Sequence, residues 1–199
     1  MNSDKVWAVV LAAGKSRRMG EPKLLLPFKG QTIIERVLEN ILASRVQRVV
    51  VVVGATREKI ERIIQNLPVQ IIYNPFFHRG MLSSVQRGID SLPLESEAAL
   101  VFLGDQPSIP PEVVNRLVQA YSKTKSGIVI PVYQNRRGHP LLIDLKYREE
   151  VKKLDSPIGL KGLVHKNSNE ICEVEVKAPG VLRDIDDRED YRRELKRES

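Results

Sequence analysis

The chain has 199 residues, of which 42% are hydrophobic and 29% are charged, and its formal net charge is +7. This length suits one globular domain with a sizeable core, and no apolar run approaches the roughly 18 residues that span a bilayer. A single cysteine excludes an internal disulfide and a cysteine-based zinc cluster. No basic segment precedes the short N-terminal apolar stretch, which argues against a signal peptide, so we expect a cytoplasmic protein without a membrane partner.

Apolar, β-branched runs alternate with helical patterns along most of the chain. Continuous apolar runs predict buried strands, and apolar residues three and four positions apart predict helices between them. The predicted strands cover residues 6–11, 48–54, 69–74, 98–105 and 127–132, and the predicted helices cover 32–44, 58–65, 82–92 and 111–121. Hydrophobic strands separated by helices are typical of a parallel sheet that is covered on both faces.

The pattern weakens beyond about residue 138. There we predict a short strand at 140–144, a helix near 146–154, a strand at 170–176 and an acidic segment at 183–190. The chain shows neither a low-complexity linker nor an internal repeat, so we predict one α/β domain whose later part elaborates its C-terminal end.

The positive net charge invites a comparison with nucleic-acid-binding proteins. Most cations alternate with acids, as in the C-terminal "REDYRRELKRES", where Glu189 and Arg193 have the i,i+4 spacing of a solvated helix face. The cations with the fewest acidic neighbours lie between Lys15 and Lys23. This concentration favours a compact anionic ligand, and we expect no nucleic-acid partner.

The segment "LAAGKSRRMGEPK" (11–23) directly follows the first predicted strand, where open α/β sheets bind ligands. Its glycines do not have Walker A spacing, and the chain contains no G-x-G-x-x-G motif. Exposed backbone N–H groups, together with Arg17 and Lys23, suit phosphate oxygens. The small side chains of Ala12 and Ala13 leave room for a flat base. The alternative is a solvated surface loop that carries cations by chance.

Three aspartates are candidates for a magnesium site. Asp105 stands at the carboxyl end of a predicted strand in "LGDQP", where a carboxylate suits Mg²⁺ beside phosphates. In "DIDD", Asp184 and Asp186 share one face of an extended chain and are able to complete that site. The alternatives are that Asp105 caps a turn and that the later acids interact with the N-terminus of a charged helix.

Two further segments carry polar side chains beside predicted elements. In "NPFFHRGMLSSVQRG", Asn74, Ser83 and Ser84 offer hydrogen bonds to a ribose or base, with helix capping as the alternative. In "RRGHPLLID", His139 lies on a turn before a strand, where we expect either contact with a second substrate or a structural role.

These motifs together resemble one family. "LAAGKSRRMGEPKLLLPF" resembles the L-A-A-G-x-S-x-R-M-G-x-x-K-x-L-L-P signature of MobA-like nucleotidyltransferases, and the most similar branch is the molybdenum cofactor cytidylyltransferases. The other quoted segments continue the resemblance in order over nearly the whole chain. It implies a single, Rossmann-like, three-layer α/β/α domain with a mostly parallel sheet. Residues 1–130 would bind the nucleotide, and residues 131–199 would bind the acceptor.

The resemblance also implies a reaction: Mg²⁺-dependent transfer of CMP from CTP to a phosphorylated acceptor, with release of pyrophosphate. The leading candidate for the acceptor is molybdopterin. Arg17, Lys23 and Asp105 would be the catalytic residues. The full set implied is Ala12, Ala13 and Gly14 near the base; Lys15, Ser16 and Arg17 on the triphosphate; Lys23 on the α-phosphate; Asn74, Gly80 and Ser84 on the base or ribose; Asp105, Asp184 and Asp186 on Mg²⁺; and His139 and Lys161 on the acceptor.

Two departures from the family pattern concern the C-terminal part. "DIDDRED" stands where the family has D-x-D-T-P-E-D, so the acid positions remain. "DSPIGLKG" replaces a G-D-x-G-x-R stretch, with Lys161 in the place of the arginine. Two alternatives therefore stay open: transfer to another small phosphate, such as a sugar or methylerythritol phosphate, and a non-catalytic, chaperone-like nucleotide- or pterin-binding protein. The resemblance also leaves room for a transient contact with a molybdoenzyme or its chaperone.

Overall fold

The computed structural model describes residues 5–16, 18–155 and 158–197. Its strands are β1 (Val6–Ala12), β2 (Pro27–Phe28), β3 (Gln31–Thr32), β4 (Arg48–Val53), β5 (Gln70–Tyr73), β6 (Ala98–Leu103), β7 (Ile128–Tyr133), β8 (Arg136–Arg137), β9 (Leu141–Asp144) and β10 (Ile171–Glu175). Its α-helices are α1 (Ile33–Leu42), α2 (Arg57–Ile64), α3 (Met81–Asp90), α4 (Pro111–Thr124), α5 (Arg148–Lys152), α6 (Leu160–Lys166) and α7 (Arg188–Arg197).

One eight-stranded sheet forms the centre of the domain in the order β10-β7-β9-β6-β1-β4-β5, with β8 paired to β7. Strands β6, β1, β4 and β5 pair in parallel, as do β7 and β10, whereas β9 is antiparallel to both of its neighbours. In the central register Ala12 lies opposite Val53, and Leu11 lies opposite Leu103. The parallel strands therefore end at one edge of the sheet, and the mostly parallel sheet predicted from the sequence is confirmed.

Alternate side chains of β1 belong to two separate cores. Ala8 and Val10 pack in the core that α1, α2 and α4 share, whereas Trp7 and Val9 pack in the core that α3, α5 and α6 share. This division follows from the two-residue period of a strand, which sends successive side chains to opposite faces of the sheet. The domain therefore has three layers, α/β/α, as the family resemblance implied.

Local sequence explains why the first helix begins where it does. Thr32 caps α1 by accepting the backbone N–H of Glu35, while the Glu35 carboxylate accepts the backbone N–H of Thr32 at 2.8 Å. Such a reciprocal pair satisfies two N–H groups that have no partner within the helix. The apolar positions of α1 then face the sheet, as the sequence pattern predicted.

The C-terminal third differs most from the elements predicted. The helix predicted near 146–154 is a 3₁₀ turn (Leu145–Tyr147) followed by the short α5. Helix α6 was not predicted, because its seven residues carry too short an apolar pattern to identify. The strand predicted at 140–144 is β9, which is the antiparallel member of the sheet. Along the described residues, none of the helices is both long enough and apolar enough to cross a bilayer.

Candidate active site

Lys23 joins two acidic segments that are far apart in sequence. Its Nζ lies 2.5 Å from Asp105 Oδ2 and 3.1 Å from Asp186 Oδ1. Asp105 follows β6 at the carboxyl edge of the sheet, and the segment before α7 brings Asp186 to the same place. The side chains of Lys23 and Asp105 are only 14% and 15% exposed, so water screens this ion pair weakly. Lys23, predicted to bind phosphate, thus contacts both Asp105 and Asp186, which are predicted to bind the metal.

Charge and burial oppose each other in this cluster. Burial alone disfavours the Lys23 ammonium, but Asp105 and Asp186 outweigh it and raise the pKa of Lys23 above its ordinary value. Burial raises the pKa of the Asp105 carboxyl even though Lys23 pulls it down, and the nearby charge of Asp184 adds to the rise. Lys23 therefore remains a cation at neutral pH.

The acids before α7 have two different roles. Asp187 Oδ1 accepts the backbone N–H groups of Glu189 and Asp190, both at 2.9 Å, so Asp187 caps the helix. The backbone N–H of Ile185 donates to the Asp105 carbonyl at 3.1 Å, which fixes the segment beside the end of β6. The two interpretations of "DIDD", a cation site and a helix N-terminus, therefore apply to different residues. Asp187 caps α7, and Asp186 contacts Lys23.

Helix α7 is attached to the rest of the domain by a largely buried ion pair. Arg183 Nη1 lies 3.1 Å from Glu194 Oε2, and the Glu194 side chain is 4% exposed. Tyr191 adds a hydrogen bond from its hydroxyl to the Pro27 carbonyl at 2.5 Å. These contacts hold the C-terminal helix, and with it the aspartate segment, against the basic N-terminal loop.

The basic loop folds back on itself beside the cluster. Ser16 has a positive φ of 49°, and its Oγ accepts the backbone N–H of Lys23 at 3.1 Å. Lys15 Nζ lies 5.3 Å from the ring centre of Phe77, and Arg18 Nη2 lies 2.7 Å from Asp186 Oδ2. Arg17, which the sequence predicted to bind the triphosphate, lies outside the described residues. The contact of Arg18 was not predicted, although its place within the basic segment was a signal.

A small cavity of about 170 Å³ opens at the carboxyl edge of the sheet beside Asp105, the ion-pair partner of Lys23. Open space surrounds Gly14, and a Cβ on Gly104 would lie only 2.8 Å from the Leu11 carbonyl oxygen. Ala12, which the sequence predicted to lie near the base, is completely buried in the core and does not line this cavity. The lining residues are Leu11, Ala13, Gly14, Phe77, Gly80, Met81, Ser84, Leu103, Gly104 and Asp105. Five residues from the predicted site thus meet here, and we name this cavity the nucleotide pocket.

Asn74 lies behind the nucleotide pocket and is completely buried. Its Nδ2 donates to Ser83 Oγ and to Ser84 Oγ, both at 3.0 Å, and its Oδ1 accepts the backbone N–H of Phe76 at 2.9 Å. No side chain caps α3; the two serines lie in its first turn. Asn74 thus holds the serines in place, whereas the sequence predicted that it contacts the nucleotide directly.

A larger cleft of about 790 Å³ adjoins the nucleotide pocket and shares Gly80 and Met81 with it. Its walls are mainly apolar, and His139 and Lys161, the two residues predicted to meet the acceptor, both line it. Burial lowers the pKa of His139, with the charge of Asp184 acting in the opposite direction. The apolar lining residues include Leu82, Val85, Ile130, Leu141, Ile158, Leu160 and Val164. We name this cavity the acceptor cleft.

Asp105 and Asp186 have the donor chemistry of a site for a hard divalent cation. Mg²⁺ and similar ions bind through one or two carboxylates together with substrate phosphate oxygens. Asp105 Oδ1 is buried and has no hydrogen-bond partner among the described residues, so it is free to bind an ion. Across the same residues, no three His, Cys, Asp or Glu side chains form a metal cluster, and Asp184 acts on Asp105 only through its charge. Asp105 and Asp186, which both contact Lys23, suit a divalent ion that binds together with a nucleotide.

Three known proteins share most of this chain's length. A nicotine blue oxidoreductase from Paenarthrobacter nicotinovorans is 35% identical over 157 residues, which cover 73% of this chain and 74% of that protein. A molybdenum cofactor cytidylyltransferase from Escherichia coli is 24% identical over 184 residues, 92% of each chain. The crystal structure of Rv0371c from Mycobacterium tuberculosis has a TM-score of 0.88 at 26% identity and covers 98% of this chain and 100% of its own.

Residues 8–171 match the family described as the MobA-like NTP transferase domain. This range includes the basic loop and all residues that line the nucleotide pocket and the acceptor cleft, and it spans well over half of the chain. The chain therefore belongs to the MobA-like NTP transferase family of nucleotidyltransferases.

Proposed function

We propose that this chain transfers CMP from CTP to a phosphorylated acceptor, molybdopterin, and releases pyrophosphate with the help of a divalent cation such as Mg²⁺. The observation that carries the proposal is the contact of Lys23 with Asp105 and Asp186 at the point where the nucleotide pocket opens. The similarity to a molybdenum cofactor cytidylyltransferase over 92% of the chain supports the choice of nucleotide and acceptor.

The proposed transfer depends on positioning and on charge. An oxygen of the acceptor phosphate forms a bond to the α-phosphorus while the bond to the bridging oxygen breaks, and pyrophosphate leaves with that electron pair. Lys23, cationic at neutral pH, neutralises the oxygens around the α-phosphorus. A divalent cation held by Asp105 and Asp186 would neutralise further phosphate charge. The acceptor phosphate is already ionised, so the reaction needs no protein base.

The acceptor cleft supports an acceptor with a flat ring system. Its apolar walls suit the faces of such a ring, and the exposed Lys161 at its rim suits an anionic group. We assign nucleotide binding mainly to residues 1–130 and acceptor binding mainly to residues 131–199. If the acceptor is molybdopterin, the product passes to a molybdoenzyme or to its chaperone through a transient contact.

Release of pyrophosphate tests the proposal directly. The purified chain is incubated with Mg²⁺, each of the four NTPs and a set of acceptors that includes molybdopterin, sugar phosphates and methylerythritol phosphate. We expect release only when CTP, molybdopterin and the cation are all present. A preference for GTP would contradict the assignment of CTP. Binding of nucleotide without turnover for any pair would favour the non-catalytic, chaperone-like alternative.

The oxidoreductase relative gives a second candidate function, because it is 35% identical over 157 residues. In that case the apolar cleft would hold an organic redox substrate, and the nucleotide pocket would hold part of a nicotinamide cofactor. The ion cluster around Lys23 favours phosphoryl chemistry instead, since one cation together with two carboxylates that suit a divalent ion matches the charge of a transferring phosphate. Oxidation of NADH or NADPH in the presence of a candidate dye, without pyrophosphate release, would establish the second candidate.

A further inference from the structure

The hydrogen bonds of Asn74 fix the orientation of its own side-chain amide. Oδ1 accepts the backbone N–H of Phe76 at 2.9 Å, so the other terminal atom is the nitrogen. That nitrogen gives one hydrogen to Ser83 and one to Ser84, both at 3.0 Å. A primary amide has two N–H donors, so both are used. Asn74 itself is completely buried and does not line the nucleotide pocket, so it acts on a ligand there through its neighbours.

The same bonds determine where the hydroxyl proton of Ser84 points. Ser84 Oγ accepts a hydrogen from Asn74, so its own proton remains available for another acceptor. Ser83 has such acceptors nearby, the carbonyl oxygens of Phe76 at 2.9 Å and Gly80 at 2.8 Å. For Ser84, the described residues provide none. Because Ser84 lines the nucleotide pocket, its free O–H is the donor it offers to a ligand there.

We infer that Asn74 is a positioning residue that sets base selectivity by making Ser84 a hydrogen-bond donor in the nucleotide pocket. A donor at this point favours a base edge that presents a carbonyl oxygen or a bare ring nitrogen, as the O2 and N3 edge of cytosine does, over an edge that presents N–H donors in the same place. A guanine edge that presents N1–H and N2–H donors offers no acceptor to this hydroxyl proton, so it binds less tightly there. The inference rests on the proposed function, in which this pocket holds the base of the NTP.

Asn74→Asp reverses the direction of the hydrogen bond with little change in shape. An ionised carboxylate only accepts, so one oxygen keeps the Phe76 N–H while the other takes the hydroxyl proton of Ser84. Ser84 then turns a lone pair toward the ligand. We expect the Kd for CTP to rise about tenfold, the effect of losing roughly one hydrogen bond, while the Kd for GTP changes less.

Calorimetric binding of CTP and GTP to the full chain tests this through a double-mutant cycle. The variants are Asn74→Asp, Ser84→Ala and the two combined. When Ser84 has no hydroxyl, Asn74→Asp has nothing to reorient, so we expect it to change the CTP Kd by less than about twofold in that background. Effects that multiply fully in the double variant would overturn the inference, because they would show that Asn74 acts independently of Ser84.

Ser83→Ala is the matched control, since Ser83 receives the same hydrogen bond from Asn74 but does not line the nucleotide pocket. We expect Ser83→Ala to keep the wild-type CTP affinity while Ser84→Ala weakens it several-fold. Equal affinities of these two variants would overturn the inference even if Asn74→Asp does not fold. A wild-type chain that binds no NTP would contradict the proposed function as well, whereas CTP binding with fully additive variants contradicts only the role of Asn74.

Discussion

The nucleotide pocket and the acceptor cleft meet at Gly80 and Met81 but differ in size and polarity. The pocket measures about 170 Å³ and is lined by Asp105 of the charged cluster, whereas the cleft measures about 790 Å³ and is mainly apolar. Glycines and short side chains line much of the pocket, and branched aliphatic side chains line much of the cleft. The small cavity is therefore suited to hold a base beside the charged cluster that meets its phosphates, and the large one to select an acceptor by shape.

This difference means that substitutions in the two cavities affect different kinetic quantities. A change in the charged cluster alters the stabilisation of the transition state, which appears in kcat. A change in the cleft alters how tightly the acceptor is held, which appears in its KM. Four predictions, in order of decreasing expected effect, bear on the two regions: those on Asp105 and Lys161 test this division, and those on Glu194 and His139 test what stabilises the two regions.

Asp105→Asn is expected to have the largest effect. The substitution keeps the size of the side chain but removes the charge that faces Lys23 and a divalent cation, so we expect kcat to fall by about 10³-fold. Because burial raises the pKa of Asp105, the folded chain disfavours its ionised form, and Lys23 keeps Asp186 as a partner when Asp105 is replaced; we therefore expect the thermal unfolding midpoint to change little. Pyrophosphate release measures the first quantity and calorimetry the second.

Asp90→Asn is a suitable control, because Asp90 is a half-exposed aspartate that pairs with Lys152 away from the cluster. We expect it to keep wild-type turnover. Substantial residual activity of Asp105→Asn would refute the role of Asp105 in phosphate and metal chemistry.

Glu194→Ala tests how much the buried ion pair of the C-terminal helix α7 stabilises the domain. The substitution removes one partner of the pair with Arg183, so we expect the free energy of unfolding to fall by about 3 kcal/mol. The matched control is Glu189→Ala, whose exposed carboxylate lies 3.7 Å from Arg193 and should contribute less than about 0.5 kcal/mol. Urea denaturation measures both. Equal effects of the two variants would show that α7 does not depend on its buried ion pair.

Lys161→Ala tests the acceptor side of the comparison. We expect the KM for the acceptor to rise about tenfold, the loss of one charge-assisted contact, with the KM for CTP unchanged. Lys166→Ala provides a control on the same helix, because Lys166 pairs with Glu150 and does not line the cleft. A rise in the KM for CTP with Lys161→Ala would contradict the separation of the two cavities.

The smallest expected effect concerns the dependence of stability on pH at His139. Burial lowers the pKa of His139 in the folded chain, whereas in the unfolded chain the imidazole takes a proton near its ordinary value of 6.5. The unfolded state therefore binds more protons, so His139 lowers stability as the pH falls through about 6.5 toward its lowered folded pKa. Melting temperatures of wild type and His139→Gln at neutral and mildly acidic pH should diverge. An identical slope for both would disprove this contribution.

Much of the fold follows directly from the sequence. The apolar runs of β1, β4, β6 and β7 are buried strands in the order and near the positions predicted, because a strand covered on both faces must be apolar almost throughout. The short elements of the C-terminal third were harder to predict. Helix α6 has seven residues, and β8 has two, too few for a periodic pattern to separate them from loops.

The candidate site divides in a similar way. The basic loop, Asp105 and the serines of α3 are recognisable locally, because each follows a strand whose carboxyl end faces the ligand edge. The roles of Asn74 and Arg18 were not recognisable, since each depends on a partner that the folded chain supplies. Arg18 reaches Asp186 from the opposite end of the chain, and Asn74 is buried behind Ser84.

By itself, the sequence determined the parallel sheet and the chemistry at its carboxyl edge: hydrophobic periodicity fixes which faces are buried, and local spacing fixes which polar groups follow each strand. Only the tertiary structure decided which distant groups touch. Lys23 and Asp186 are 163 residues apart, and their contact requires α7 to pack against the N-terminal loop. The direction of the hydrogen bond to Ser84 likewise depends on a backbone N–H at Phe76, whose position only the folded chain defines.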